Sequence, residues 1–177
     1  MTKTWQRAGK SAAGILIAAV LLIGFMELRG DIGVSASKLE ADVRRGQHID
    51  SSWVTEGEVS EEMAAYISYP PDRTDHTYSI YVNRPGWSFG YFFRCGGDLV
   101  ETEKYITEYR LDGYNERVFI SMNQQKAAYY TYDGADSMQT AELDSTKPFA
   151  FVLPVSAGNV VFYDEAGTVL ETNQRGM

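Results

Sequence analysis

One cysteine, two histidines and five prolines in 177 residues leave little of the equipment that metal centres and most nucleophilic enzymes use. With Cys95 alone, no internal disulfide can form. His48 and His76 stand 28 residues apart, and no Cys or His spacing suits zinc. No Gly-x-Ser-x-Gly elbow, phosphate-cradling glycine loop or His-Glu-x-x-His is present, so neither a cofactor nor a metal is expected. Basic clusters are also missing beyond the pair Arg44-Arg45. Formal net charge is −8, with the first 29 residues carrying +3, which leaves 12 basic and 23 acidic residues in the body. Such a body repels a phosphate backbone, and nucleic acid is not an expected partner.

Aromatic residues make up 13% of the chain, and twelve of them are Tyr, which favours pleated, half-buried surfaces. After Lys3, Arg7 and Lys10, the run "SAAGILIAAVLLIGFM", Ser11 to Met26, holds no charge. As a helix these sixteen residues would span about 24 Å at ~1.5 Å each, a minimal crossing of a ~30 Å hydrocarbon core. The basic residues on its N-terminal side imply a cytoplasmic N-terminus and an extracytoplasmic body. The competing reading is a cleaved secretory signal with "VSA", Val34 to Ala36, as cleavage site, against which Glu27, Arg29 and Asp31 make a long charged segment before it. The "RGD" at Arg29 to Asp31 adjoins the apolar run and reads as chance.

The expected organisation is a cytoplasmic basic tail (1–10), a transmembrane signal-anchor helix (11–28), a stalk with a short helix (29–52) and an extracytoplasmic β domain (53–177). "SKLEADVRRG", Ser37 to Gly46, is predicted helical, with Ser37 as N-cap, Glu40 completing a capping box and Gly46 as terminator. Only Leu39 and Val43 are large and apolar there, so a solvated spacer is expected. Trp53-Val54 is a candidate first strand, and "SEEMAAYI", Ser60 to Ile67, is predicted to be a second helix stopped by Pro70-Pro71.

From His76 the apolar period becomes two. "HTYSIYV" puts Tyr78, Ile80 and Val82 on one face. In "WSFGYFFRC" the alternation places Trp87, Phe89, Tyr91, Phe93 and Cys95 together, which predicts a five-residue core stripe, with Phe92 on the other face. Strands are predicted in Leu99–Tyr109, Arg117–Met122, Lys126–Tyr132, Pro148–Pro154, Val160–Asp164 and Thr168–Thr172, the last two as a closing hairpin about Gly167. Short connections imply antiparallel pairing. The predicted fold is mainly β: an antiparallel β-sandwich or partly open barrel with one or two short helices at its N-terminal side, preceded by a single transmembrane helix.

A tethered β domain with one cysteine, two histidines and several arginines resembles the general outline of a sortase-like transpeptidase, which implies catalysis by Cys95 with His48 or His76. The Thr-Leu-x-Thr-Cys strand of that family is absent, since "YFFR" precedes Cys95, and a buried, inert thiol is the preferred reading. "DGADS", Asp133 to Ser137, has Ala135 where a calcium ligand is needed and reads as a polar turn. Glu56, Glu58, Glu61 and Glu62 read as a solvated surface at a helix start. For binding, the candidates are outward aromatics, namely Phe92 together with Tyr130 and Tyr132, although covering of these rings by a second sheet or the helix is the preferred reading. The expected function is a noncatalytic binding or accessory module of a bacterial cell envelope, held in the membrane through residues 11–28, with another envelope protein as partner. A structural or sensing component of an envelope complex is the further alternative.

Overall fold

The computed structural model describes residues 3–84, 86, 88–98, 104–134 and 137–176, with side chains from residue 15 onward. A mainly β body follows two N-terminal helices, α1 (Lys3–Leu28) and α2 (Leu39–Gly46). Among the described residues, eleven strands form three sheets rather than the two faces of a simple sandwich. Sheet I is an antiparallel meander, in order, of β1 (Val54–Val59), β2 (Met63–Tyr69), β3 (Thr77–Asn83) and β4 (Tyr91–Gly97). Sheet II orders β11 (Thr172–Gly176), β5 (Ile106–Arg110), β6 (Glu116–Ser121) and β9 (Phe149–Pro154). Sheet III orders β10 (Val161–Tyr163), β7 (Tyr129–Asp133) and β8 (Met138–Glu142).

Each strand's two-residue alternation feeds two different interfaces. Met63, Ala65, Ile67, Tyr78, Ile80 and Val82 of sheet I meet Tyr109, Val118, Ile120 and Val152 of sheet II. The opposite face of sheet II presents Ile106, Phe119, Phe149 and Phe151 to Tyr130 and Phe162 of sheet III. The layers therefore run α2, sheet I, sheet II, sheet III.

Ser60–Ile67 is not a helix. Ser60 donates its amide to Met63 O (2.9 Å) in a tight turn, and β2 follows with all seven residues buried. Alternation decides the matter: Ala64 and Tyr66 pack beneath α2 while Met63, Ala65 and Ile67 enter the inter-sheet core. A two-sided tertiary environment overrides the helical preference of Met, Ala and Glu. The four acids consequently do not form a solvated helix start. Glu58 accepts the Val152 amide at 3.0 Å, Glu62 accepts the Asn115 amide at 2.6 Å, and Tyr69's hydroxyl bonds Glu56.

α2 is also packed rather than solvated, since Leu39 and Val43 are buried against Ala64, Tyr66, Tyr81 and Tyr91. Its first turn is preceded by a 3₁₀ turn over Ala36–Lys38, and the N-cap position falls on Lys38 without a side-chain cap, not on Ser37. Glu40 instead pairs with Arg44 at 3.1 Å.

The predicted stripe from Trp87 to Cys95 is broken. Trp87 lies outside the described residues, and Phe89 and Phe93 are 63% and 52% exposed. Ile80 pairs with Cys95 but Tyr81 pairs with Phe93, so Arg94 is an extra residue, a β-bulge that reverses the facing of everything before it. Tyr91 and Phe93 thereby turn to the α2 side, while Phe92 and Cys95 share the inter-sheet side with Val82 and Ile80.

The closing hairpin is reduced to one bridge, Tyr163 to Val169. The chain then crosses to sheet II, where β11 pairs parallel with β5, contrary to the all-antiparallel expectation. β8, "MQTAE", was missed because it has no apolar alternation. Of the predicted strand Leu99–Tyr109, residues 99–103 lie outside the described residues, as do Ala135 and Asp136 of the "DGADS" turn.

Among the described residues no helix is long and apolar enough to cross a membrane. In the described part of α1, Ile15, Leu16, Ile17, Val20, Leu21, Leu22, Ile23 and Phe25 are all exposed, so apolar side chains emerge around the whole helix.

Candidate functional site

The register places four loops together at one end of the sheets. Residues 70–76 between β2 and β3, 122–128 between β6 and β7, 143–148 between β8 and β9, and 164–171 between β10 and β11 all leave the same end. The segment that follows α1 joins the opposite end, where Val34 bridges Tyr91 at the start of β4. Between the four loops lies a cleft of about 650 Å³, within the range of small-ligand sites.

Its walls are tied to one another. Asn123 donates its side-chain amide to Ala127 O (3.3 Å) and Asp144 O (3.1 Å) and accepts the Ala127 amide on Oδ1 at 2.7 Å. One side chain thus closes its own loop and holds the next. Arg73 Nη1 donates to Thr146 O, and Ser145 Oγ bonds Glu165 Oε1 at 2.7 Å, so the remaining loops are joined in sequence. Asp164 Oδ1 accepts the amides of Ala166 (2.9 Å) and Thr168 (2.8 Å), which shapes the fourth loop. These amides, first that of Thr168, hold the Asp164 carboxyl below the ordinary carboxylate range.

Three cleft residues, Arg73, Asn123 and Lys126, have φ between 56° and 59°, a left-handed conformation uncommon outside glycine. Strain of this kind persists only where surrounding contacts over-determine it, and here the lacing bonds do so. The floor is Met122, and the rim offers cations at Arg73 and Lys126, anions at Asp164 and Glu165, and amides at Gln124 and Gln125. Gln125 Oε1 is buried with no hydrogen-bond partner among the described residues. The cleft therefore presents both charge signs and several donors and acceptors among a larger share of apolar side-chain surface, a mixed lining that suits an amphipathic ligand surface. No histidine or cysteine is among the residues that line it.

The residues singled out from sequence do not lie there. Tyr130 is buried between sheets II and III, its ring stacked on Phe151 at 4.9 Å. Tyr132 packs half-buried beside it at 5.8 Å. Phe92 belongs to sheet I, half-buried beneath the Arg84 guanidinium, which stands 4.0 Å from its ring centre. Two sheets therefore divide the three aromatics.

Cys95 is half-buried on the inter-sheet side. Burial pushes its thiol up, opposed by the Tyr78 hydroxyl and the Arg94 guanidinium, and no histidine is among the groups acting on it. His48 is exposed, whereas His76 is buried before β3 with its Nε2 unpartnered among the described residues. Among the described residues no three His, Cys, Asp or Glu side chains come together as a metal would require.

The cleft had only a faint signature in sequence, namely its turn residues, because four loops distant along the chain build it. Comparison with protein-family models, with curated proteins and with solved structures returns no match.

Proposed function

We propose that this chain is a membrane-tethered, extracytoplasmic binding module of a bacterial cell envelope, engaging another envelope protein through the loop cleft and carrying out no chemistry of its own. The observation that carries the reading is the placement of a laced, strained cleft at the end of the sheets opposite the attachment of α1. On a tethered domain that end points away from the bilayer and is the one a neighbour reaches first. The anchor reading is supported by the uncharged run Ser11–Met26, by apolar side chains exposed around α1, and by Lys3, Arg7 and Lys10 on its N-terminal side. The noncatalytic reading is supported by the raised Cys95 thiol and by a cleft lining in which no histidine or cysteine is among the described residues.

Two measurements test it. Alkaline carbonate extraction of membranes should leave the full-length chain in the pellet, with the β body digested by protease added from outside. A photo-crosslinking side chain at Thr146, on the cleft rim, should capture an envelope protein in intact cells, whereas one at Gln139 on β8 should not. Equal capture at both positions, or none at either, would remove the cleft from the reading.

A further inference from the structure

The chain between α1 and the body is held by close backbone approach. Ile32 and Val34 form bridges with Phe89 and Tyr91, and Gly33 N donates to Phe89 O at 2.7 Å while Phe89 N donates to Asp31 O at 2.9 Å. Glycines permit the contact. A Cβ on Gly33 would meet Tyr91 O at 2.5 Å, and Gly90, at φ +84°, would bring one to 2.7 Å from Val34 O. Back toward α1, the Arg29, Gly30 and Asp31 amides bond Phe25, Glu27 and Met26 carbonyls. No slack linker separates helix from sheet. Ile32 lies four residues past Leu28, so the span between them is at most about 14 Å at ~3.5 Å per residue.

At this junction the surface is apolar. Leu28 is 89% exposed, and Ile32 and Phe89, bridge partners whose side chains emerge next to each other, are exposed as well. Leu28 and Ile32 follow directly on the exposed apolar residues 15–25 of α1, and Arg29 stands 5.5 Å over the Phe25 ring while pairing with Asp31 at 3.3 Å. Exposed apolar side chains directly beyond an apolar helix, with an aromatic residue and Arg29 among them, have the composition of a membrane interface.

Resting on the anchor reading, we propose that Leu28, Ile32 and Phe89 form a lipid-contacting foot that seats the β body on the bilayer interface, fixing the body's orientation and holding the cleft away from the membrane. The foot acts at the high effective concentration that the short junction imposes, so a small patch suffices. Apolar burial drives the seating rather than charge, because a body with 23 acidic against 12 basic residues is repelled by anionic headgroups.

The test uses the full chain in vesicles of phosphatidylcholine and phosphatidylglycerol, some carrying brominated acyl chains. In a Cys95→Ala background, a polarity-sensitive fluorophore is attached at Ser88→Cys beside the foot, or at Thr146→Cys at the far end. Quenching at position 88 should be several-fold greater than at 146, with blue-shifted emission, and should hold or rise with added salt. Combining Ile32→Asp with Phe89→Asp should reduce quenching at 88 to the level at 146 with near-ultraviolet circular dichroism unchanged. Phe89→Ser alone, at an exposed site, should lower it partway, and serves if the double variant does not fold. Equal quenching at both positions while carbonate leaves the chain in the membrane overturns the foot and spares the anchor. Undiminished quenching in the folded variants also overturns it, and release of the chain by carbonate removes anchor and foot together.

Discussion

Among the described residues Arg117 is the bulkiest of the fully buried side chains, 1% exposed, and Glu108 is buried beside it. Its Nη1 donates to Glu108 Oε1 at 2.9 Å, and Nη2 donates to Gly158 O. Glu108 also accepts from Arg110 (2.6 Å) and, on Oε2, from Gln174 of β11 (3.0 Å). Removing Arg117 takes away the only fully buried cation on Glu108 among the described residues and leaves it the half-exposed Arg110 and Gln174, whereas removing both ends the buried ion pair. Arg117→Met should therefore cost about 3–5 kcal/mol in urea unfolding, and Glu108→Leu added to it should recover most of that. Tyrosines give a second residue-scale expectation. Burial, reinforced by the Glu56 charge, pushes Tyr69 up to about 12, and burial with Tyr132 and Glu58 nearby does the same to Tyr130. A folded pKa above the ordinary ~10 means their contribution is complete below about pH 10 and is lost as pH rises through 12. Absorbance titration should show these phenols ionising late, together with unfolding. For Cys95, labelling by a thiol reagent at neutral pH should be slow in the native chain and fast in urea, and Cys95→Ala should leave crosslinking from Thr146 intact. Fast native labelling would revive the thiol-enzyme reading.

At the scale of elements, α2 and β2 show how neighbours settle what local preference leaves open. Leu39 and Val43 are only two apolar residues on an otherwise polar helix, yet they cover the outer face of sheet I at Tyr66, Tyr81 and Tyr91. Leu39→Ala should cost about 2–5 kcal/mol, measured by urea denaturation, where a solvated spacer would show a change near zero. β3 was legible from its alternating Tyr78, Ile80 and Val82, and β6 and β9 from short apolar runs rich in Val, Ile and Phe. β2 was not, as "MAAYISY" carries no polar alternation and suits a helix equally well until two layers enclose it. β8 and β11 were illegible for the opposite reason. Their side chains are mostly polar, and main-chain bonds to a neighbouring strand hold them in place.

For the whole molecule, the loop lacing defines a unit that should respond together. Asn123→Ala removes bonds to both Ala127 and Asp144, so hydrogen exchange should quicken at once in residues 122–128 and 144–146 while the β3 and β6 amides stay protected. Exchange confined to the first loop would show that the cleft walls move independently. The same unit explains why the candidate site was the least legible part of the chain. Arg73, Asn123, Ser145 and Asp164 are spread over more than ninety positions, and nothing in their separate surroundings marks them as neighbours. The aromatics singled out from sequence lie on two different sheets, Tyr130 buried in the core between sheets II and III and Phe92 half-buried under Arg84 on sheet I.

By itself the sequence determined the β-rich character of the body, the apolar N-terminal run and the lack of metal or phosphate motifs, since composition and periodicity express local chemistry and are complete in any short window. Tertiary structure alone decided the facing of Phe92 and Phe93, the strand state of Met63–Tyr69, the parallel β11 and the convergence of four loops on one cleft. Each of those depends on which distant backbone supplies the hydrogen bonds and which layer covers the side chains, a condition met only when the sheets have assembled.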